Sequence, residues 1–451
     1  MSFLKKLTLL GGMLLIGFTS LPATAADMPA GMEKVQHIVV IYLENRGFDH
    51  MYGLFPGANG LSNAGTAALQ TDRDGKPYAT LPALMLTKEL ADTRFPKNLP
   101  NQPFDLGDYV QPDQKTSSPI HRFYQNQMQI SGGRNDRFVA NSSSGALVMG
   151  YYDGRTLPLW KYAEKYTLAD NFYQAAFGGS FLNHFWLICA CTPRYPDAPH
   201  KMYAILNDNG NMLKDGVVTP DGYAVNTIQS YYMPHSPNIV DQHETLPPQS
   251  MPTIGDRLTE KHIAWAWYSG GWNDALSGWP APSFQFNHQP FVYFSNYADG
   301  TEEKARHLKD ETDFLAAIEH GTLPPVSFYK PIGINDEHPD YADVMTGEKH
   351  IYDIVSRIEN SALWANTVII ITYDENGGFW DHASPPRGDR WGPGTRVPTI
   401  IVSPFAKRGH VDHTLYDTTS ILKFIETRFG LKPLGERDTN ANGLLGAFNF
   451  Y

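Results

Sequence analysis

Two short polar runs follow directly on apolar, β-branched segments. Glu44-Asn45 comes after H-I-V-V-I-Y-L at 37–43, and Asp374-Glu375-Asn376-Gly377-Gly378 comes after T-V-I-I-I-T-Y at 367–373. Carboxylate and amide oxygens are hard ligands that suit a hard or borderline divalent cation. Either pair alone reads equally well as a solvated strand end with a turn; two in one chain favour a shared cation. A third run, Ala176-Phe177-Gly178-Gly179-Ser180, opens an apolar helix-like stretch. Glycines before a serine at a helix start bring a hydroxyl and free backbone N–H groups to one spot, and the helix amino end favours an anion there. The same residues would also make an ordinary serine N-cap. The run is not a G-x-S-x-G elbow, because residue 182 is Leu. Nor is it a P-loop, which needs Gly-Lys-Ser/Thr.

The elements that must position these groups are legible as short apolar runs at 37–43, 263–268, 326–329, 367–373 and 397–402. Near-continuous β-branched runs suit strands covered on both faces, as in a parallel sheet. Helix-like stretches lie between them at 157–165, 182–190, 253–261, 309–319, 349–360 and 420–429. The alternation predicts βαβ units and an α/β class of fold. In such sheets ligands gather beyond the carboxyl ends of the strands, where both polar pairs fall. Long loops at 59–119, 207–249 and 270–300 are expected to build an active-site rim. The chain reads as one large catalytic domain, 26–451, after a leader, with no internal repeat or coiled coil.

Residues 1–25 carry lysines, a short apolar run and Ala23-Thr24-Ala25, the parts of a secretory signal peptide, and a periplasmic or secreted location follows. The run is short for a membrane anchor, which takes roughly 20 apolar residues. Cleavage would remove Lys5 and Lys6 and no acid, moving the formal charge from -11 to -13. So acidic a chain lacks the basic footprint of a general nucleic-acid binder, and a phosphate site in it must rest on local charge such as a metal. The two cysteines, Cys189 and Cys191, are one residue apart. On a regular helix or strand their side chains diverge, so they are expected to be two small buried residues and not a disulfide.

Y-L-E-N-R-G-F-D-H at 42–50, F-G-G-S-F-L-N-H at 177–184 and T-Y-D-E-N-G-G-F-W-D-H at 372–382 resemble motifs of the bacterial acid phosphatase/phospholipase C family, the phosphoesterases. The resemblance continues through N-H-Q-P-F at 287–291, E-H-P at 337–339 and L-Y-D-T-T-S-I-L-K-F-I-E at 415–426. It implies an alkaline-phosphatase-like α/β/α sandwich with a mostly parallel sheet and a cap of long insertions. Glu44, Asn45, Asp374 and Glu375 match the family's metal ligands. Ser180 matches its nucleophile, which also touches the metal. His121, His288 and His338 match histidines of the phosphate pocket, and Asn183, Asp381 and His382 match positions expected near substrate. Each histidine also has a plain structural reading: His121 on a helix surface, His288 packed among aromatics, His338 solvated in a loop. His410 and His413 are expected to be structural only.

The chemistry implied is attack by Ser180 on phosphorus, a phosphoseryl intermediate, and its hydrolysis, with one divalent metal ion of unspecified identity. The expected substrates are small phosphomonoesters, as for an acid phosphatase. Phospholipase C activity is the alternative. The end of the chain soon after the last motif, and Ser where that branch tends to carry Thr, weigh against it. Aromatics around 265–279 are compatible with an acyl chain or a choline head group, or with packing. A non-catalytic phosphate-binding module would explain the serine but not four cation-binding side chains beside it.

Overall fold

The computed structural model describes residues 28–65, 69–239 and 241–450; the expected signal peptide lies outside them. Eight strands form the central sheet: β1 (His37–Leu43), β2 (Thr167–Ala169), β3 (Trp265–Ser269), β4 (Leu308–Asp310), β5 (Val326–Lys330), β6 (Thr367–Tyr373), β7 (Thr399–Val402) and β8 (His410–Asp412). Their order is β8-β2-β7-β6-β1-β5-β3-β4. β6, β1, β5, β3 and β4 are mutually parallel, whereas β7 pairs antiparallel with both β6 and β2. β1 and β6 are buried along essentially their whole length, as their unbroken Ile/Val runs require of strands covered on both faces.

Helices cover the sheet in two groups. α1 (Phe48–Tyr52) and α2 (Phe123–Ile130) lie near the strand ends; α3 (Trp160–Lys165), α4 (Ser180–Cys189), α5 (Ile254–Glu260), α6 (Glu311–Glu319), α7 (Val344–Glu359) and α8 (Thr418–Phe429) are the packing helices. α4 packs on α5 and α8, and α6 packs on α7. α3 joins the second group through Tyr162, whose hydroxyl reaches Ser356 and Glu359, each at 3.2 Å. Capping residues set several starts. Thr253 and Asp417 form capping boxes at α5 and α8, and the Asp343 side chain accepts from Thr346 N to open α7 five residues ahead of the apolar stretch that suggested it. No helix among the described residues is long and apolar enough to cross a membrane.

One expectation is corrected here. Cys189 and Cys191 form a disulfide, with Cα atoms 5.1 Å apart. The divergence argument assumed one regular element, but α4 ends at Cys189 and Ala190 takes a left-handed φ of 46°, which folds the chain back. Of the two readings open for the aromatics at 265–279, packing holds for Trp265, Trp267 and Trp272, which are buried, Trp265 and Trp267 both contacting Phe291; Trp279 is exposed.

Candidate active site

The sheet register delivers the first two ligand pairs. Leu43 stands opposite Tyr373, so the chain leaves β1 and β6 side by side, with Asp374 N donating to Leu43 O at 3.1 Å. Asn45 has a left-handed φ of 61°, which asparagine tolerates better than most residues. Asn45 N and Glu375 N both donate to Asp374 Oδ1, at 3.2 and 2.8 Å. The following turn closes over Asn45 because residue 377 is glycine at φ 64°; a Cβ there would lie 2.3 Å from Asn45 O.

Ser180 is the first residue of α4, and its hydroxyl donates to Glu44 Oε2 at 2.8 Å and lies 3.2 Å from Asn45 Oδ1. Gly178, at φ 87°, lets the preceding turn press against α2, where a Cβ would meet Phe123 N at 2.5 Å. Asn183 does not line the cavity beside Ser180. It is fully buried, accepting from Ala176 N at 2.9 Å and donating to the carbonyls of Ala176 and Gly178 at 3.2 and 3.3 Å. It braces the glycine turn, one helical turn from the serine.

Glu44, Asp336, Asp374 and Glu375 are all fully buried. Burial, and then the charge of Glu44, hold the Asp374 and Asp336 carboxyls well above the ordinary range; for Glu375 the causes are burial and then Asp374. Buried among them is one ammonium, Lys330 at the end of β5, which donates to Glu44 Oε1 at 2.5 Å. Asp374 Oδ2 and Glu375 Oε1 are buried without a hydrogen-bond partner among the described residues. Excess negative charge, orphaned oxygens and an all-oxygen set from Glu44, Asn45, Ser180, Asp374 and Glu375 fit a divalent cation. Such a cation, when bound, favours the serine alkoxide and draws charge from phosphoryl oxygens.

Three histidines meet over Ser180 in a cavity of about 260 Å³, together with Glu44, Asn287 and Tyr341. His121 Nδ1–H donates to Pro119 O at 2.6 Å, and its Nε2 is 3.3 Å from Asn45 Nδ2. His338 Nδ1–H donates to Pro339 O, and its ring lies 5.8 Å from that of His121. His288 Nε2 is 3.1 Å from Glu44 Oε1. Burial is the first cause holding all three below the ordinary imidazole value; Lys330 adds to it at His288 and His121 at His338. With Nδ1–H committed to a carbonyl, Nε2 is the atom of His121 and His338 that would take a proton once an anion beside it favours the charged form, although Nε2 of His121 then gives up the bond it accepts from Asn45 Nδ2.

The structure also brings in groups that sequence reasoning left unassigned. Glu44, Asp336 and His288 each offer a ligand atom within 4.8 Å of the others, as do Glu44, Asp374 and His184. His184 donates Nδ1–H to Ser180 O at 2.7 Å and stacks on His288 with centroids 5.2 Å apart; burial, then Lys330, push its pKa down to about 3. Lys330 had a signal in the sequence, a lysine closing an apolar strand at the carboxyl end, where ligands gather.

Asp381 and His382 lie outside the cavity lining. Arg396 reaches Asp381 Oδ1 at 2.9 Å and Asp49 Oδ1 at 3.2 Å, and His382 Nδ1 is 2.6 Å from Asp49 Oδ2. Burial opposes charge on His382, yet the bond to Asp49 carries its pKa above the ordinary value. This buried network ties α1, just after Glu44-Asn45, to the segment just after Asp374-Glu375. His413 pairs with Asp170 at 2.7 Å, and His410 lies in β8, both apart from the cavity lining.

Transfer of a phosphoryl group to a serine and on to water is the chemistry open to this arrangement, and the class so defined is the phosphoric-ester hydrolases. The chain belongs to the Phosphoesterase family, whose model matches residues 35–432. It is similar to phospholipase C A of Mycobacterium tuberculosis (strain ATCC 25618 / H37Rv), at 25% identity over 94% of this chain and 79% of that protein. It is also similar to the hemolytic phospholipase C of Pseudomonas aeruginosa, at 25% identity over 91% of this chain and 55% of that protein. Among solved structures, the lipoteichoic acid synthase LtaP from Listeria monocytogenes aligns with a TM-score of 0.41 and 7% identity, covering 92% of this chain and 79% of that one. An alkaline phosphatase superfamily protein from Vibrio parahaemolyticus aligns at 0.36 and 10%, over 84% and 77%. Likenesses of that degree carry no functional weight.

Proposed function

We propose that this chain hydrolyses phosphomonoesters through a phosphoserine at Ser180, assisted by one divalent cation on Glu44, Asn45, Asp374 and Glu375. The observation that carries the reading is the Ser180 hydroxyl, 2.8 Å from Glu44 and 3.2 Å from Asn45, beside two orphaned carboxylate oxygens. Ser180 supplies the nucleophile at a helix amino end, which also favours the phosphate it attacks. His121, His288 and His338 surround the space a phosphoryl group would fill and would donate to its oxygens, one of them protonating the leaving alcohol. A cavity of about 260 Å³ suits a phosphate and a modest alcohol better than a diacylglycerol. A module that only bound phosphate would have no use for buried acids turned on a serine, since capture needs donors.

Phospholipase C activity is a second reading, favoured by what the curated relatives are called. One set of assays separates them. Purified protein is incubated near pH 6 with p-nitrophenyl phosphate, bis-p-nitrophenyl phosphate and phosphatidylcholine, each with and without a strong chelator. The monoester is expected to be cleaved fastest, with the activity lost on chelation and in Ser180→Ala. Faster cleavage of either diester replaces the first reading by the second; activity that survives Ser180→Ala removes both.

A further inference from the structure

A second, larger concavity of about 920 Å³ is lined from the same stretch of chain as the Ser180 cavity. Ile120 lines the larger one, and the next two residues, His121 and Arg122, line the smaller. The larger lining contains Arg73, Lys88, Arg134 and Arg137 and no aspartate or glutamate, in a chain of formal charge -11. Arg134 is paired with Asp136 at 3.1 Å. The other three make no ion pair among the described residues. Arg73 Nε donates to Ala140 O at 3.3 Å, and Arg137 Nε is buried with no hydrogen-bond partner among the described residues.

We propose that this groove binds a small polyanion bearing two or more phosphate groups. Three unpaired cations share one concavity, more than a single phosphate requires, and guanidinium forks match phosphate oxygens in pairs. The volume lies within the range of about 300–1,000 Å³ usual for small-ligand sites. Gln127, Asn141 and Ser142 add uncharged hydrogen-bonding groups to the lining. Concavity favours a discrete molecule over a flat lipid surface. The proposal does not depend on the reading of Ser180. The polyanion is either a free ligand or the far end of a substrate whose scissile phosphate sits at Ser180.

The test uses the full-length Ser180→Ala protein, titrated calorimetrically with fructose 1,6-bisphosphate and with glucose 6-phosphate at low ionic strength. The bisphosphate is expected to bind about tenfold more tightly, as two or more charge-assisted contacts allow. Lys88→Gln/Arg137→Gln is expected to erase that difference. Lys88→Glu alone lies on an exposed turn, so it tests the charge without risk to the fold, and is expected to weaken the bisphosphate about threefold or more. Equal affinities for the two sugars, or a difference that survives in a folded double variant, overturn the proposal. So does binding to phosphatidylglycerol vesicles without binding of the bisphosphate. In the Ser180 protein, a KM for the bisphosphate that rises with Lys88→Glu identifies the far end of a substrate; an unchanged KM with weakened binding identifies a free ligand. Both support the site.

Discussion

Replacing Asp374 by asparagine tests the cation site through stability, with no assumption about substrate. In the metal-free protein four buried carboxylates face Lys330, and Asp374 Oδ2 is unsatisfied. A cation that binds only the folded state adds about 2.7 kcal/mol at a free concentration one hundred times its dissociation constant. At about 2.1 cal/mol/K per residue, the unfolding entropy of a 451-residue chain is about 0.9 kcal/mol/K. The expected gain is therefore about 3 K in Tm. The variant should lose that gain and show a second, opposite effect. Because burial and Glu44 raise the Asp374 carboxyl well above its ordinary range, the charged form costs stability near neutral pH, and that cost grows as pH rises towards the folded pKa. Asparagine removes the charge while keeping an oxygen for the N–H groups of Asn45 and Glu375. The chelated variant should thus melt at or above the chelated parent, and the cation-loaded variant below the loaded parent. Differential scanning fluorimetry in chelator, then in excess calcium, magnesium, manganese or zinc, reads both. A parent whose Tm is the same in chelator and in every cation, or a variant that keeps the shift, refutes the assignment.

Ser180→Ala should lower kcat for p-nitrophenyl phosphate at least about a thousandfold, while keeping most of the cation-dependent rise in Tm, because the carboxylates remain. Arg396→Met leaves Asp49 and Asp381 buried without their guanidinium, and should cost about 3–5 kcal/mol, measured as a lower denaturant midpoint. Glu426 is pushed up to about 9 by burial and then by Asp438, against an ordinary 4.5. The folded state therefore holds a proton that the unfolded chain releases, and stability falls as pH rises from about 4.5 towards 9. Glu426→Gln should flatten that fall, so that the variant gains on the parent in Tm between pH 5 and pH 8.5; parallel curves would contradict the shift.

Strand positions were legible because a strand covered on both faces must be apolar at every residue, which is how 37–43 and 367–373 announce themselves without reference to the rest of the chain. The same local rule marked Glu44-Asn45 and Asp374-Glu375 as strand-end groups, and the glycines before Ser180 as a turn into a helix. Which strands are neighbours is not a local property. Only the pairing of Leu43 with Tyr373 puts residues more than three hundred positions apart within hydrogen-bonding distance. Register also decides that Lys330, the last residue of β5, and Asp336, a few residues past it, join the site, and that Asp381-His382 serve a buried brace with Arg396 instead of the cavity. The cysteines make the same point on a small scale: spacing assumes a regular element, and a single left-handed residue at 190 reverses the conclusion. Residue types set what chemistry each segment can do; long-range packing, which stabilises one register against all others, decided which of those segments do it together.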